Sequence, residues 1–195
     1  MNKPTKITGV ILAGGLARRM NHQDKGLVCY RGCPLVSYAI AALAPLVNDT
    51  LINANRNHEQ YQSFGLPVIA DQTDSFDGPL AGILTAMIHS DAEVLLIVPC
   101  DAPLMTTQHL QKLLTVRADL NVDIAVAFDG ERLHPLFLAI KTSLQESLQN
   151  YLASGQRKVQ AWLAQHNPAQ VDFSDTPEIF TNINTLTELS LLEAK

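Results

Sequence analysis

Two adjacent glycines and three nearby basic residues have the types and spacing of a phosphate-binding loop. The pair Gly14-Gly15 follows the apolar run 7–12, and Arg18, Arg19 and Lys25 come shortly afterwards. Because glycine has no Cβ atom, its backbone amide can approach an anion closely, and the cations add positive charge beside it. We therefore predict a phosphate site in this loop. An ordinary strand-to-helix turn is the alternative interpretation.

The loop differs from the two common nucleotide-binding motifs. A Walker loop ends in Gly-Lys-Ser/Thr, whereas the order here is Lys25-Gly26. A dinucleotide-binding turn has spaced glycines, whereas Gly14 and Gly15 are adjacent. The loop instead resembles the entry loop of the sugar-1-phosphate and cofactor nucleotidyltransferases, in which a leucine, two glycines, Arg, Met and Lys fall in this order.

A carboxylate between two prolines is the second candidate for chemistry. Asp101 follows the apolar run 94–98, and Pro99 and Pro103 flank it. A lone carboxylate at a strand end suits Mg²⁺, which binds through one or two carboxylates together with phosphates and water. A helix cap or a turn aspartate is the alternative interpretation.

Polar residues also follow the other predicted strands. Asn53 and Asn55 come at the end of one strand, and Asp71 follows the next. Open α/β sheets bind ligands beyond the carboxyl ends of their strands, so we expect these side chains to gather at one edge with Asp101. Asp71 could instead form a local Asx-turn. Asn53 ends a buried strand and needs a polar partner, which a ligand can supply.

Two further turns carry polar or flexible residues. The segment 77–82 is a second glycine turn that opens a helix, and its amides could contact a nucleotide or simply cap that helix. His134 precedes Pro135 after a turn signal over 129–132. It could face a substrate, but a surface-loop position is the interpretation we favour.

Composition limits the classes of protein to consider. The 195 residues are 47% hydrophobic and 17% charged, which fits a single domain over 1–195 with a large core. The net charge of −5 gives no general affinity for nucleic acid or an acidic membrane. No apolar run approaches the ~20 residues that span a bilayer, and we expect no signal peptide before the first strand.

The three cysteines, Cys29, Cys33 and Cys100, are an odd and sparse set. Such a set disfavours a disulfide framework, and it favours a reducing compartment, which we take to be the cytoplasm. No neighbouring histidine or second cysteine pair completes a structural metal site.

Strand-like and helix-like runs alternate along the chain. This alternation predicts parallel strands with helices on both faces, and so an α/β fold: a three-layer α/β/α, Rossmann-like domain with a mostly parallel central sheet. The run 93–98 is apolar throughout, which is typical of a central strand. The predicted strands cover 7–12, 50–54, 67–70, 93–98, 122–128 and 136–140, with a short extended piece at 171–173. The predicted helices cover 34–46, 79–89, 106–117, 143–152, 159–165 and 186–192.

Together these motifs resemble the bacterial molybdenum cofactor guanylyltransferases, the MobA family of nucleotidyltransferases. The likeness covers nearly the full length, and its most specific segments are the opening loop, Gly78-Pro-Leu-Ala-Gly82 and Pro99-Cys-Asp-Ala-Pro103. Other matching segments are 53–56, Asp71, 129–132, 134–135 and 182–185. One departure is the run Asn21-His-Gln23, where the family often has a glycine, and it bears on the phosphate contacts of the loop.

The resemblance implies transfer of GMP from GTP to molybdopterin carrying molybdenum, with release of pyrophosphate. By the same resemblance, the catalytic residues would be Lys25, which neutralises the phosphates, and Asp101, which holds Mg²⁺. Asn182 and Asn184 would lie toward the pterin. The GTP-binding residues would be Leu12, Ala13, Gly14, Lys25, Asn53, Asp71 and Asp101. Molybdoenzyme assembly proteins are expected partners, and we expect a monomer.

Two other functions stay open at this point. A related nucleotidyltransferase that uses CTP or another nucleotide, with a sugar phosphate or alcohol phosphate as acceptor, would carry many of the same residues. A non-catalytic adaptor of molybdoenzyme assembly would bind GTP without releasing pyrophosphate. The presence of both Lys25 and Asp101 favours an enzyme, because a pure binder has no need of a metal that stabilises a transition state.

Overall fold

A seven-stranded sheet forms the centre of the protein in the computed structural model, which describes residues 4–15, 24–72, 78–183 and 185–193. The strands are β1 (Ile7–Leu12), β2 (Cys29–Tyr30), β3 (Cys33–Pro34), β4 (Asp49–Asn53), β5 (Val68–Ile69), β6 (Val94–Pro99), β7 (Ile124–Phe128), β8 (Leu133–Lys141) and β9 (Ala169–Asp172). The helices are α1 (Leu35–Leu43), α2 (His58–Gln62), α3 (Pro79–His89), α4 (Thr107–Asp119), α5 (Gln145–Ala153), α6 (Val159–Ala164) and α7 (Leu186–Glu193). The strand order in the sheet is β5-β4-β1-β6-β8-β7-β9, and β2 and β3 form a separate hairpin.

Strands β1 and β6 occupy the middle of the sheet because both are apolar enough to be covered on two faces. All of β6 is buried, which confirms the predicted central strand. β1 pairs in parallel with both β4 and β6, and Leu12 lies in register with Asn53 on one side and Pro99 on the other. The loops that follow these three strands therefore start next to one another.

Strand β8 runs antiparallel to β6 and β7, whereas the other pairings in the seven-stranded sheet are parallel, in keeping with the predicted mostly parallel sheet. The reason for the direction of β8 is the short connection from β7, because a parallel crossover needs a dozen or more residues. The predicted turn over 129–132 makes this connection, with the amides of Glu131 and Arg132 donating to Asp129 Oδ1 at 2.9 and 2.8 Å. β8 begins at Leu133, three residues earlier than predicted, so its first residues lie toward the carboxyl end of β6.

Helices cover both faces of the sheet and give the predicted three layers. Neighbouring residues of β1 show the division, since Val10 packs into one core cluster and Ile11 into the other. The first cluster includes Leu80 and Ile83 of α3, Leu148 of α5 and Trp162 of α6. The second includes Val36 and Leu43 of α1 and Leu110 and Leu113 of α4. The α/β/α arrangement with a mostly parallel sheet is thus confirmed.

The carboxyl-terminal helix packs on the β2–β3 hairpin. Tyr30, Ile183 and Leu192 are buried together there, and the Arg31 amide donates to Glu193 Oε1 at 3.0 Å.

Within the described ranges, no helix is long and apolar enough to cross a membrane.

The turn between β7 and β8 supplies a test of local electrostatics. His134 lies 2.6 Å from Asp129 Oδ2, and this contact, with the two turn amides, holds the pKa of the Asp129 carboxyl well below its usual range. We expect Asp129→Asn to lower the free energy of unfolding at pH 7, where the wild-type carboxylate is ionised. The loss should shrink as the pH falls from about 4 through the lowered pKa, because the wild-type carboxylate then gains a proton too. Urea unfolding of both proteins at pH 7 and pH 3 measures this, and an equal difference at both would contradict it.

Candidate active site

The candidate site lies at the carboxyl edge of β1, β4 and β6. Backbone hydrogen bonds continue past the strand ends, since the Ala13 amide donates to the Asn53 carbonyl at 2.8 Å and the Cys100 amide to the Leu12 carbonyl at 3.1 Å. Gly14 follows directly, and Asp101 is next in the chain after Cys100. The predicted gathering of loop residues at one edge is therefore present.

Lys25 and Asp101 form the centre of this edge. Lys25 lies in a short 3₁₀ turn, and its Nζ is 3.2 Å from Asp101 Oδ2, although 76 residues separate the two. The side chains are 25% and 11% exposed. Burial raises the pKa of the Asp101 carboxyl, and the neighbouring Lys25 cation works in the opposite direction.

The second oxygen of the Asp101 carboxylate is buried and has no hydrogen-bond partner among the described residues. A buried charged oxygen of this kind requires a partner, and a hard cation such as Mg²⁺ is a suitable one. The described parts of the chain contain no group of three or more His, Cys, Asp or Glu side chains that could hold a metal. This donor set fits Mg²⁺ rather than a fully caged ion, because Mg²⁺ commonly completes its shell with substrate phosphates and water.

Three polar side chains at the ends of β4 and β5 form a tight hydrogen-bonded group. Asn53 Nδ2 donates to Asp71 Oδ1 at 2.9 Å, and Asn55 Nδ2 donates to Asp71 Oδ2 at 2.8 Å. The Asp71 amide donates back to Asn55 Oδ1 at 2.8 Å. The carboxylate of Asp71 is thus held in one orientation by two amides, and the asparagine that ends a buried strand has a partner.

Two glycines pack against this group, and at Gly82 there is no room for a side chain. A Cβ atom on Gly82 would lie 2.2 Å from Asn53 Oδ1, and one on Gly14 would lie 3.1 Å from Asn55 Nδ2. Gly82 sits in the first turns of α3, which begins after Gly78 at a φ of 75° and has Pro79 in its first turn. Asp77, the other capping candidate, lies outside the described residues.

We expect Gly82→Ala to displace Asn53 and to lower the free energy of unfolding by about 1–3 kcal/mol, as overpacking in a tight core does. Gly15→Ala is the matched control for stability, since nothing lies within 4 Å of a Cβ atom there. Urea unfolding of both variants is the measurement, and equal stabilities would contradict the prediction.

His134 lies in β8 and not on a surface loop, so that interpretation was wrong. Its side chain is only 11% exposed, and its ring stacks on Phe180 with centroids 3.9 Å apart and planes 9° from parallel. The extension of the β7–β8 hairpin buries it. Phe180 precedes the carboxyl-terminal segment, in which the Ile183 amide donates to the Asp101 carbonyl at 3.0 Å.

That backbone contact brings the partly buried Asn182 to the same edge as Asp101. The structure thus places Leu12, Ala13, Gly14, Lys25, Asn53, Asp71, Asp101 and Asn182 around one edge of the sheet. Three other predicted residues, Arg18, Arg19 and Asn184, lie outside the described residues.

Sequence reasoning missed the group around Asp24, a residue to which it gave no role. Asp24 is buried, and its carboxylate contacts Arg56, Asn57 and Tyr61. An acidic residue directly before the key lysine was the available signal, but its partners come from a segment with no apolar periodicity.

The mostly parallel sheet, with polar side chains at the carboxyl ends of its strands, places the protein in the class of α/β domains that bind nucleotides. Comparison with known families narrows the class, because the family model described as the MobA-like NTP transferase domain matches residues 9–171. The chain belongs to this family and is a nucleotidyltransferase, and the resemblance noted in its motifs is confirmed.

Individual relatives agree with this assignment. A protein of Shewanella sediminis (strain HAW-EB3) named molybdenum cofactor guanylyltransferase is 46% identical over 180 residues, covering 92% of each chain. The crystal structure of molybdopterin-guanine dinucleotide biosynthesis protein A from Archaeoglobus fulgidus superposes with a TM-score of 0.79 at 21% identity, covering 96% of this chain and 97% of that one. The structure of CMP:2-keto-3-deoxy-manno-octonic acid synthetase complexed with CTP superposes with a TM-score of 0.76 at 13% identity, covering 97% of this chain and 98% of that one. Both structures share the fold of this chain.

Proposed function

We propose that this protein transfers GMP from GTP to molybdenum-loaded molybdopterin, forming molybdopterin guanine dinucleotide and releasing pyrophosphate. The observation that carries the proposal is the Lys25–Asp101 pair at the sheet edge, 3.2 Å between Nζ and Oδ2. It occurs in a chain 46% identical to a relative named as a molybdenum cofactor guanylyltransferase.

In the proposed reaction, a phosphate oxygen of the pterin attacks the α-phosphorus of GTP in line. A new P–O bond forms there, the bond from the α-phosphorus to the α,β-bridging oxygen breaks, and pyrophosphate leaves with that oxygen. Such transfers need positioning and charge stabilisation more than a protein nucleophile. Lys25 supplies positive charge to the phosphates as charge develops on the leaving group.

The nucleotide contacts follow from the strand ends. Leu12, Ala13 and Gly14 leave β1 beside β4, and Gly14 has no Cβ atom to keep a ligand away from its own backbone. Asn53 and Asp71 offer amide and carboxylate groups held in fixed orientations by the hydrogen bonds between them. We assign these residues to the nucleoside and phosphates of GTP.

We assign Mg²⁺ to Asp101. The support is the buried Oδ1 atom, which lacks a partner among the described residues while Oδ2 meets Lys25. When bound, the ion neutralises phosphate charge and polarises the phosphoryl oxygen. Asp101 would hold the ion, and Lys25 beside it would add a second positive charge for the phosphates.

The acceptor is assigned to the side of the carboxyl-terminal segment. Support comes from the bond between the Ile183 amide and the Asp101 carbonyl, which places Asn182 beside the candidate centre. Asn184 is proposed for the same surface from the family resemblance alone. We propose one domain over the whole chain, a monomer that hands its product to molybdoenzyme assembly proteins, and a cytoplasmic location. The three cysteines, none of them in a disulfide, are in keeping with that location.

Pyrophosphate release tests the proposed function. The protein is mixed with Mg²⁺, a nucleoside triphosphate and molybdenum-loaded molybdopterin, and GTP, CTP and ATP are compared with and without the acceptor. Release that requires both GTP and the acceptor is the expected result. A preference for CTP would favour the alternative, a related nucleotidyltransferase with CTP as its donor. GTP binding without pyrophosphate release would favour the non-catalytic adaptor.

A further inference from the structure

A buried carboxylate lies directly beside the key lysine in the sequence but is directed away from it. Asp24 precedes Lys25 and is only 6% exposed. Its carboxylate contacts Arg56 in the β4–α2 connection, whereas Lys25 Nζ contacts Asp101, which follows β6. Two adjacent residues of opposite charge therefore meet different partners.

Three side chains from one short segment contact this carboxylate. Tyr61 Oη donates to Asp24 Oδ1 at 2.5 Å, and Asn57 Nδ2 donates to Oδ2 at 3.0 Å. Arg56 Nε lies 3.4 Å from the same Oδ2. Tyr61 is fully buried, and burial raises the pKa of its hydroxyl, so the group stays protonated as a donor.

The turn that carries Lys25 also packs directly on Tyr61. A Cβ atom on Gly26 would lie 2.4 Å from Tyr61 Oη and 3.3 Å from Cys100 Cβ. The Asp24 carbonyl accepts from the Leu27 amide at 3.0 Å, which closes the turn around Lys25. Tyr61 therefore fixes both the side chain of Asp24 and the backbone of the turn that carries Lys25. This turn also lies close to Cys100, the residue directly before Asp101.

We propose that Tyr61 is a positioning residue for the transfer reaction: its hydroxyl holds Asp24 against the β4–α2 segment and so keeps Lys25 Nζ at Asp101. This inference rests on the proposed function. Without the hydroxyl, Asp24 loses a charge-assisted hydrogen bond and can turn toward its neighbour Lys25, which then competes with Asp101 and with substrate phosphates. The role acts through Lys25 and involves no contact of Tyr61 with substrate.

Tyr61→Phe removes only the hydroxyl and is the direct test. We expect kcat for pyrophosphate release to fall roughly 10- to 100-fold, the scale of an ångström-level misplacement of a catalytic group. The KM for the pterin acceptor should change little. Tyr151→Phe is the matched control, because Tyr151 is also buried and its hydroxyl donates to the Lys158 carbonyl at 3.0 Å outside the site. A kcat for Tyr61→Phe equal to that of this control would overturn the proposal.

A second background separates positioning from a general structural role. In Lys25→Ala, Tyr61→Phe should cause little further loss, because no lysine remains to be positioned. An equal fold-loss in both backgrounds would overturn the proposal, since a merely structural effect does not depend on Lys25. Failure of the wild-type protein to release pyrophosphate would instead contradict the proposed function, so the two failures are distinguishable.

Asn57→Gly keeps the test valid if Tyr61→Phe folds poorly. Asn57 has a φ of 54°, which glycine adopts without strain, so the change removes a contact to Asp24 while leaving the backbone acceptable. We expect a smaller kcat loss that again disappears in Lys25→Ala. A loss of equal size in both backgrounds would count against the proposal here too.

Discussion

Lys25→Ala is expected to lower kcat by roughly 10²-fold or more, because the variant lacks the cation that stabilises developing phosphate charge. The lysine is held at the candidate centre by Asp101, since its Nζ lies 3.2 Å from Asp101 Oδ2. Pre-positioned charge of this kind needs no reorganisation during the reaction. Steady-state pyrophosphate release over a range of GTP concentrations gives kcat and KM for the variant.

Lys141→Ala is the matched control for this change. Lys141 forms an exposed ion pair with Asp123, 2.7 Å between Nζ and Oδ1, and lies in register with Val94 at the opposite end of β6 from Asp101. Its removal should leave kcat unchanged. A Lys25→Ala enzyme with a rate near that of the control would contradict the assignment of Lys25.

Asp101→Asn is expected to lower the rate by roughly 10²-fold or more as well, because an amide of nearly the same size cannot replace a carboxylate as the protein ligand of Mg²⁺. The variant should also need more Mg²⁺ to reach its own maximum rate. Titrating Mg²⁺ against the rate of pyrophosphate release measures both effects.

The stability of Asp101→Asn separates a functional from a structural role. Burial raises the pKa of the Asp101 carboxyl despite the Lys25 cation, so the ionised form is costly to hold in the folded protein, and a neutral amide there should leave thermal stability unchanged or raise it. An active variant with an unchanged Mg²⁺ dependence would contradict the metal assignment. A variant that unfolds would show that the carboxylate serves the fold.

Strong apolar patterns made the central part of the fold predictable. The bounds of β1 and α3 were predicted correctly, because a continuous apolar run and a proline-led amphipathic segment leave few alternatives. The helix predicted over 106–117 is α4, and its N-cap is Thr106, whose amide donates to His109 Nδ1 at 3.2 Å. These features depend on local sequence alone.

Short elements and strand direction were not predictable in the same way. The β2–β3 hairpin and α2 are too short to show a period, and helix α1 ends at Leu43, three residues before the predicted end. The direction of β8 depends on the length of a single connection. Each of these features is fixed by tertiary contacts, such as the packing of α7 on the hairpin.

In the candidate site, too, some features were predictable from the sequence and others were not. Parallel strands bring their carboxyl ends together, so the meeting of Asn53, Asp71 and Asp101 at one edge followed from the order of the elements. The position of Lys25 relative to Asp101, and the Asp24–Tyr61 contact behind it, depend on side-chain packing across distant segments. The single domain and the binding roles of these residues stay predictions.

Transfer of a labelled α-phosphate tests the central claim most directly. GTP labelled at the α-phosphorus is mixed with Mg²⁺, molybdenum-loaded molybdopterin and an excess of the protein, and the products are separated after one turnover. The proposed reaction predicts that the label moves into a pterin dinucleotide, with one pyrophosphate released for each label transferred. Label that stays in GTP, or that appears only in GDP or unattached GMP, would contradict guanylyl transfer to the pterin.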